Sequence, residues 1–290
     1  MTAKTDMTRP KLIDQEALSR HRARARLDRA GFLHDEARFE LQERLLDVNR
    51  TFTSPAIVTP FPDLWADFLP GAVVVPDSDL LALDPGAHDL VLHVMGLHWA
   101  EDPVGQLVQC RRALRPDGLL MVTMLGGETL NELRTALAQA ESEVMGGLSP
   151  RVAPMGEIRD LGGLLGRAGL SLPVADRLPQ RVTYQTLFHL LRDLRDMGET
   201  NALAARHKAT PPRALFARAA QIYAERFPAE DDRIAATFEL VFLTGWSPHD
   251  SQQKPLRPGS AAARLAEALD TTEFDETARP VPVLNKRGQE

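Results

Sequence analysis

The chain has 290 residues, 43% of them hydrophobic and 26% charged, with a formal net charge of −6. That length supports a real apolar core in one large or two small domains, and the acid excess excludes a nucleic-acid binder held by a global basic field. The single cysteine, Cys110, excludes a disulfide framework and a cysteine-built metal site.

Residues 1–11 are polar. Leu12 to Ala30 reads as helical and basic, with Arg20, His21, Arg22, Arg24, Arg26 and Arg29. Two readings stay open for it: a docking arm for an acidic partner or membrane surface, or a solvated helix face, since Asp14, Glu16 and Asp28 interleave. Glu36 to Asn49 is an amphipathic helix that offers Phe39, Leu41, Leu45, Leu46 and Val48 for burial. Pro55-Ala56-Ile57-Val58 and Gly71 to Val75 read as strands, with a helix of at most two turns between Asp63 and Leu69.

The centre of the chain carries the strongest pattern. His88 to Val94 is a short apolar run, hence a buried strand. Asp102 to Leu114 reads as a helix, with Pro103 in its first turn, where a missing N–H costs nothing. Arg115-Pro116-Asp117-Gly118 is turn chemistry, and Leu119 to Leu125 is a second buried strand. Strand, helix and strand in this order form a right-handed crossover of a parallel sheet. Cys110 lies on the helix and reads as a small buried hydrophobe.

Beyond the crossover, Gly126-Gly127 ends the strand, and Glu128 or Thr129 is placed to cap a helix running to Val144. Helices follow at Glu157 to Ala168, Thr186 to Met197 and Pro212 to Phe227. Leu170 to Val174 and Gln180 to Tyr184 read as final antiparallel strands, and Ile234 to Trp246 as a strand. Ser247 to Gly259 is a polar loop carrying His249, Asp250, Ser251, Gln252, Gln253, Lys254 and Arg257, placed to line a cleft or a partner interface. Residues 270–290 read as a disordered tail. No run of about 18 apolar residues and no apolar leader core occur, so the expectation is a cytoplasmic protein, peripheral to the inner membrane at most.

Several strings carry a resemblance. Asp89, the Leu97-His98-Trp99 triplet and "ALRPDGLLMV" look like the second half of a class I S-adenosylmethionine (SAM) methyltransferase fold. LGGETLNELR (125–134), EIRDLGGLLGRAGL (157–170), LRDLRDMGETNAL (191–203) and FELVFLTGW (238–246) resemble bacterial relatives of the mitochondrial complex I assembly factor family. That family hydroxylates an arginine and is similar to the malonyl-carrier-protein methyltransferase of biotin synthesis. The resemblance covers roughly residues 12–270 and is weakest between 50 and 85. It implies an α/β, Rossmann-like sheet with helices on both faces and N-terminal helices. The expected organisation is a basic helical arm at 1–35, a methyltransferase-like domain at 36–270 and a tail at 271–290.

The same resemblance exposes a departure. A SAM-binding sheet opens with a strand running into a glycine-rich turn, because backbone must approach the cofactor closely. Here Thr59-Pro60-Phe61-Pro62 stands in that place, and its two prolines remove N–H donors. The first half of the fold is therefore eroded. If the 71–75 strand is the second of the sheet, Asp77 or Asp79 takes the ribose role; if it is the third, the second and its acid are missing. The resemblance places cofactor contacts at Asp77, Asp79, His93, Met95, Gly96 and Trp99. It makes His98 the candidate catalytic base or donor, since the unperturbed pKa of an imidazole lies near neutral. His249 and Asp250 are adjacent and cannot face one ion as an i,i+4 pair does, so no metal site is expected. Two functions follow: a SAM-dependent enzyme modifying a protein partner such as a complex I subunit, or a SAM-free pseudoenzyme that binds such a partner as an assembly chaperone. A small-molecule methyltransferase ranks third.

Overall fold

The computed structural model describes residues 11–253; the proposed tail, Lys254 and Arg257 lie outside the described residues. A six-stranded sheet organises the chain. Its strands are β1 (Pro55–Val58), β2 (Val73–Val75), β3 (His88–Val94), β4 (Leu114–Leu125), β5 (Ser171–Tyr184) and β6 (Ile234–Trp246). The spatial order is β2-β1-β3-β4-β6-β5. β2, β1, β3 and β4 run parallel, while β6 is antiparallel to β4 and β5 to β6.

The sheet is covered on both faces, which is why its central strands read as unbroken apolar runs. Side chains alternate between two cores with the strand period of two. Ile57, Leu90, Leu92, Met121, Phe238 and Leu240 face one core. There they meet α3 (Phe32–Asp47), α6 (Asn131–Met145), α8 (Leu187–Asp196) and α9 (Arg213–Arg226). Ala56, Val58, Val91, Leu120, Val122 and Leu243 face the other, against α5 (Pro103–Ala113) and α7 (Ile158–Arg167). Asp102 caps α5 by accepting from the Gly105 N–H at 2.9 Å. Cys110 is buried here as expected, and burial pushes its thiol up to about 12.

Four local differences from the sequence reading have physical causes. The helix expected over Leu12–Ala30 is two: α1 (Gln15–Arg22) and α2 (Leu27–Ala30). The chain bends between them because the Arg26 N–H donates to the Asp196 carbonyl at 2.6 Å instead of continuing the helix. Residues 115–118 form no separate turn; they are the irregular start of β4, with Asp117 at φ +62° and a register shift against β3. β5 is one strand of 14 residues rather than two. It lies at the sheet edge, where the missing N–H groups of Pro173 and Pro179 are tolerated. Neither Glu128 nor Thr129 caps α6: the helix starts after Leu130 at φ +56°, without a side-chain cap. Thr129 instead ties strand ends, donating to the Gly126 carbonyl at 2.7 Å and accepting from the Glu239 N–H at 2.9 Å.

A short helix, α4 (Pro62–Trp65), separates β1 from β2, within the two turns expected. Among the described residues no helix is long and apolar enough to cross a membrane.

Gly127 sits at φ +51°, and a Cβ there would collide with the buried Glu239 carboxylate. Gly127→Ala adds strain and a clash together. The expected loss is about 3 kcal/mol, read as a lower denaturant midpoint with an unchanged slope.

Candidate functional site

In open α/β sheets the ligand crevice opens at the carboxyl ends of strands where the strand order reverses. Here that point lies between β1 and β3, because the chain leaves β1 for β2 on one side and returns to β3 on the other. The residues gathered there come from four separate stretches: the end of α1, the Thr59–Pro62 turn, Asp77 after β2, and Met95 to Trp99 after β3.

β2 pairs directly with β1, so it holds the second-strand place and Asp77 follows it as the acid of that strand. Asp77 is already engaged. Arg22, at the C-terminus of α1, donates from both guanidinium nitrogens to the two Asp77 oxygens, each at 3.0 Å. The pair is largely shielded, with the side chains 17% and 9% exposed. A bidentate guanidinium–carboxylate pair in such a setting is directional and strong. Asp79, by contrast, is exposed, and its carbonyl accepts from Gln109 at 2.8 Å.

Beside Asp77 runs the turn after β3. Gly96 is required there: a Cβ would collide with the Asp77 carboxylate. Met95 is buried at φ +53°, and its N–H donates to the Thr123 carbonyl at 2.7 Å, so β4 holds the turn. Backbone conformations of this kind cluster at functional turns.

His93 is fully buried and bonds the Gln106 Oε1 through Nε2 at 2.6 Å. Gln106 uses its amide N–H groups on the Asp77 and Ser78 carbonyls, at 3.3 and 3.2 Å. Its oxygen therefore faces His93, which makes His93 Nε2 the donor and the ring neutral. Burial lowers the His93 pKa, consistent with a neutral ring. His93 thus fixes, through Gln106, the loop that carries Asp77.

His98 and Trp99 lie in a single 3-10 turn, Leu97–Trp99, and converge on Glu199 at the end of α8. Trp99 Nε1 donates to Glu199 Oε2 at 2.6 Å, and His98 Nε2 lies 3.2 Å from the same oxygen. Burial works to raise the Glu199 pKa. The charge of His98, hydrogen bonds from His98 and Trp99, and nearby Arg22 overcome it and hold the carboxyl below its ordinary range. His98 Nδ1 is buried without a hydrogen-bond partner. His34 completes the cluster from α3, accepting from Trp65 Nε1 at 3.2 Å. Burial, together with the charges of His98 and Arg38, lowers its pKa to about 4 against the opposing pull of Glu199.

The N-terminal segment is clipped over this crevice along its length. Leu12 and Ile13 donate backbone N–H groups to Glu101, Ile13 bridges Leu203, and Asp14 pairs with Arg206 at 2.9 Å. His21 Nδ1 contacts the Thr200 carbonyl at 3.0 Å. The segment therefore joins the 196–206 stretch to the sheet.

These residues do not fit SAM as they stand. The acid that would hold a ribose is paired with Arg22. The turn after β1 has no glycine; Thr59 is buried and donates to the Val75 carbonyl at 3.0 Å, and Phe61 packs its ring edge-on against His34. No group of three or more His, Cys, Asp or Glu that could hold a metal ion is found among the described residues.

Next to the closed crevice lies an open cavity of about 300 Å³. Trp99 and Glu199 form its inner wall, Leu133, Leu137, Leu191 and Phe216 its floor, and Arg151, Arg195, Arg206 and His207 its polar lining. Of the sequence-derived candidates, Asp77, His93, Met95, Gly96, His98 and Trp99 are thus brought together, Trp99 reaches the cavity, and Asp79 stands aside. His249 and Asp250 are exposed. Arg22, His34, Gln106 and Glu199 were missed. Arg22 sat inside a basic run, and Glu199 meets His98 across 101 residues of chain, a pairing no local pattern encodes.

Two outcomes follow. Asp77→Asn strands a shielded guanidinium, and the expected destabilisation is about 3 kcal/mol, with a double-mutant cycle against Arg22→Ala showing strong coupling. His34 resists protonation in the folded protein, so unfolding takes up a proton between pH 6.5 and about 4. Its contribution is complete above pH 6.5 and lost as the pH falls toward 4, by about 3 kcal/mol. Glu199, with its lowered pKa, acts in the same direction. Denaturant midpoints measured across that window should fall, and His34→Asn, which keeps an acceptor for Trp65, should flatten the slope.

Comparison with known proteins agrees with this architecture. A family described as "Methyltransferase domain" matches residues 19–122. The protein named "Arginine-hydroxylase NDUFAF5, mitochondrial" from Danio rerio is 40% identical over 199 residues, 69% of this chain and 62% of the relative. Its Homo sapiens counterpart is 38% identical over 199 residues, 69% of this chain and 57% of the relative. "Malonyl-[acyl-carrier protein] O-methyltransferase" from Xylella fastidiosa (strain M23) is 33% identical over 179 residues, 62% of this chain and 58% of that protein. The chain thus spans about three fifths of the length of these relatives. The chain has a methyltransferase-like fold and is similar in sequence to proteins named as arginine-hydroxylase and as malonyl-carrier-protein methyltransferase.

Proposed function

We propose that this chain is an assembly factor of the complex I type that works by binding a protein partner, with the methyltransferase fold retained as a scaffold and the nucleotide crevice given over to the chain's own N-terminal helix. The observation that carries this reading is the Arg22–Asp77 pair. A ligand diol competing for Asp77 must first break a shielded bidentate ion pair and leave Arg22 uncompensated, a cost of about 3–5 kcal/mol. That alone weakens binding by about two to four orders of magnitude.

The partner side is supported differently. The cavity beside Trp99 stays open while the crevice is closed, and it offers a concave apolar face to a partner. The resemblance to the complex I assembly family, and the arginine-hydroxylase relatives at 38–40% identity, favour a protein as occupant over a free metabolite. On this reading His98 is a positioning residue: it holds Glu199, which with Trp99 shapes the inner wall of the cavity. The protein would then act from the matrix or cytoplasmic side of the membrane that carries its partner.

Calorimetric titration with SAM and S-adenosylhomocysteine tests the reading. No saturable heat and no thermal shift at millimolar ligand are expected for the native chain, together with capture of a complex I subunit by crosslinking. Micromolar SAM binding lost in Asp77→Ala would return the chain to the SAM-dependent enzymes.

A further inference from the structure

We propose that the cavity beside Trp99 is a docking cleft for an acidic amphipathic peptide segment, whose apolar side chains enter it while flanking carboxylates meet a cationic rim. The inference deepens the proposed function and rests on its reading of this cleft as partner-facing.

Two features set the occupant. The floor is apolar: Leu133 and Leu137 from α6, Leu191 from α8 and Phe216 from α9 leave a concavity of about 300 Å³. Concave apolar sites with a few placed polar groups are binding sites by default, and a hollow of this size takes one or two bulky apolar side chains as anchors. The charged groups around it are mostly cationic, the one lining carboxylate, Glu199, being held by His98 and Trp99. Arg151, Arg195, Arg206 and His207 line it, and Lys208 follows.

The cations differ in what they have left to give. Arg206 is paired with Asp14 and Arg151 with Glu141, at 2.9 and 2.6 Å. Arg151 keeps a buried Nε with no hydrogen-bond partner. Arg195 is exposed and forms no ion pair among the described residues. Glu199, the one acidic residue in the lining, is committed to His98 and Trp99, and Asp14 and Glu141 are committed to these arginines. A cationic segment would face Arg195 and find no open carboxylate in the lining, whereas an acidic one meets Arg195 directly. Charge complementarity of this kind decides between partners more than it sets raw affinity. It also runs against the net charge of the chain, −6, so the positive rim is a local feature.

The test uses the full chain and two fluorescein-labelled peptides with the same apolar core, acetyl-EELFDLLEE and acetyl-KKLFKLLKK, followed by anisotropy. The acidic peptide is expected to bind at least about tenfold more tightly, and more weakly as salt rises. Arg195→Glu lies on the surface and should fold normally. It should weaken the acidic peptide about fivefold or more and improve the basic one. Equal binding of the two peptides, saturation by neither, or indifference to Arg195→Glu would overturn the proposal. The SAM titration separates this from the parent reading: SAM binding with the peptide preference intact sinks the closed crevice alone, and no SAM binding with no peptide preference sinks the docking cleft alone.

Discussion

The ion pair between Arg22 and Asp77 is the contact on which the site depends. It joins the first helix to the loop after β2, and the rest of the crevice is shaped around it. Gly96 is glycine because the Asp77 carboxylate leaves no room for a Cβ. Gln106 spends its amide on the carbonyls of residues 77 and 78, which is what orients His93. Arg22 also bears on Glu199, the carboxylate that His98 and Trp99 share. Two shielded acids, Asp77 and Glu199, sit close to one arginine and a histidine. Such a set is tolerable only when each carboxylate keeps its partner.

This arrangement gives the eroded half of the fold a physical account. Losing the glycine-rich turn removes backbone donors that would otherwise face a cofactor, and prolines 60 and 62 make the loss local and permanent. Space at the end of β1 is then filled by Phe61 and His34, and the ribose acid by Arg22. Because the N-terminal segment is also clipped to Glu101 and the 200–206 stretch, it closes the crevice on one side and fixes the wall of the cavity on the other. Closure of one half and openness of the other are thus consequences of the same segment.

Much of the fold was legible in the sequence. β3 matched its apolar run to the residue, α5 began at Pro103 after the Asp102 cap, and Cys110 was buried as its helical position implied. Legibility failed where tertiary contacts override local preference. The basic stretch before residue 30 looked like one helix, yet the Asp196 carbonyl bends it at Arg26. Arg115 to Gly118 has turn chemistry, yet β3 draws it into a strand. Leu170 to Tyr184 read as two strands, yet Ser171–Tyr184 is one edge strand that accommodates Pro173 and Pro179. The site was half legible for the same reason. The residues after β3 follow one strand and could be named from it. Arg22 reaches the site from the end of α1 and Glu199 from the stretch after α8, far apart in the chain, and their roles exist only once the fold has closed.

Amide hydrogen exchange of residues 15–26, with and without millimolar SAM, addresses the central claim most directly. If α1 is the standing occupant of the crevice, its amides are protected nearly as well as those of β1 and β3, and SAM leaves that protection unchanged. Fast exchange of α1 in the free protein, or a change in its protection on adding SAM, would contradict the account and show a lid over a working cofactor site.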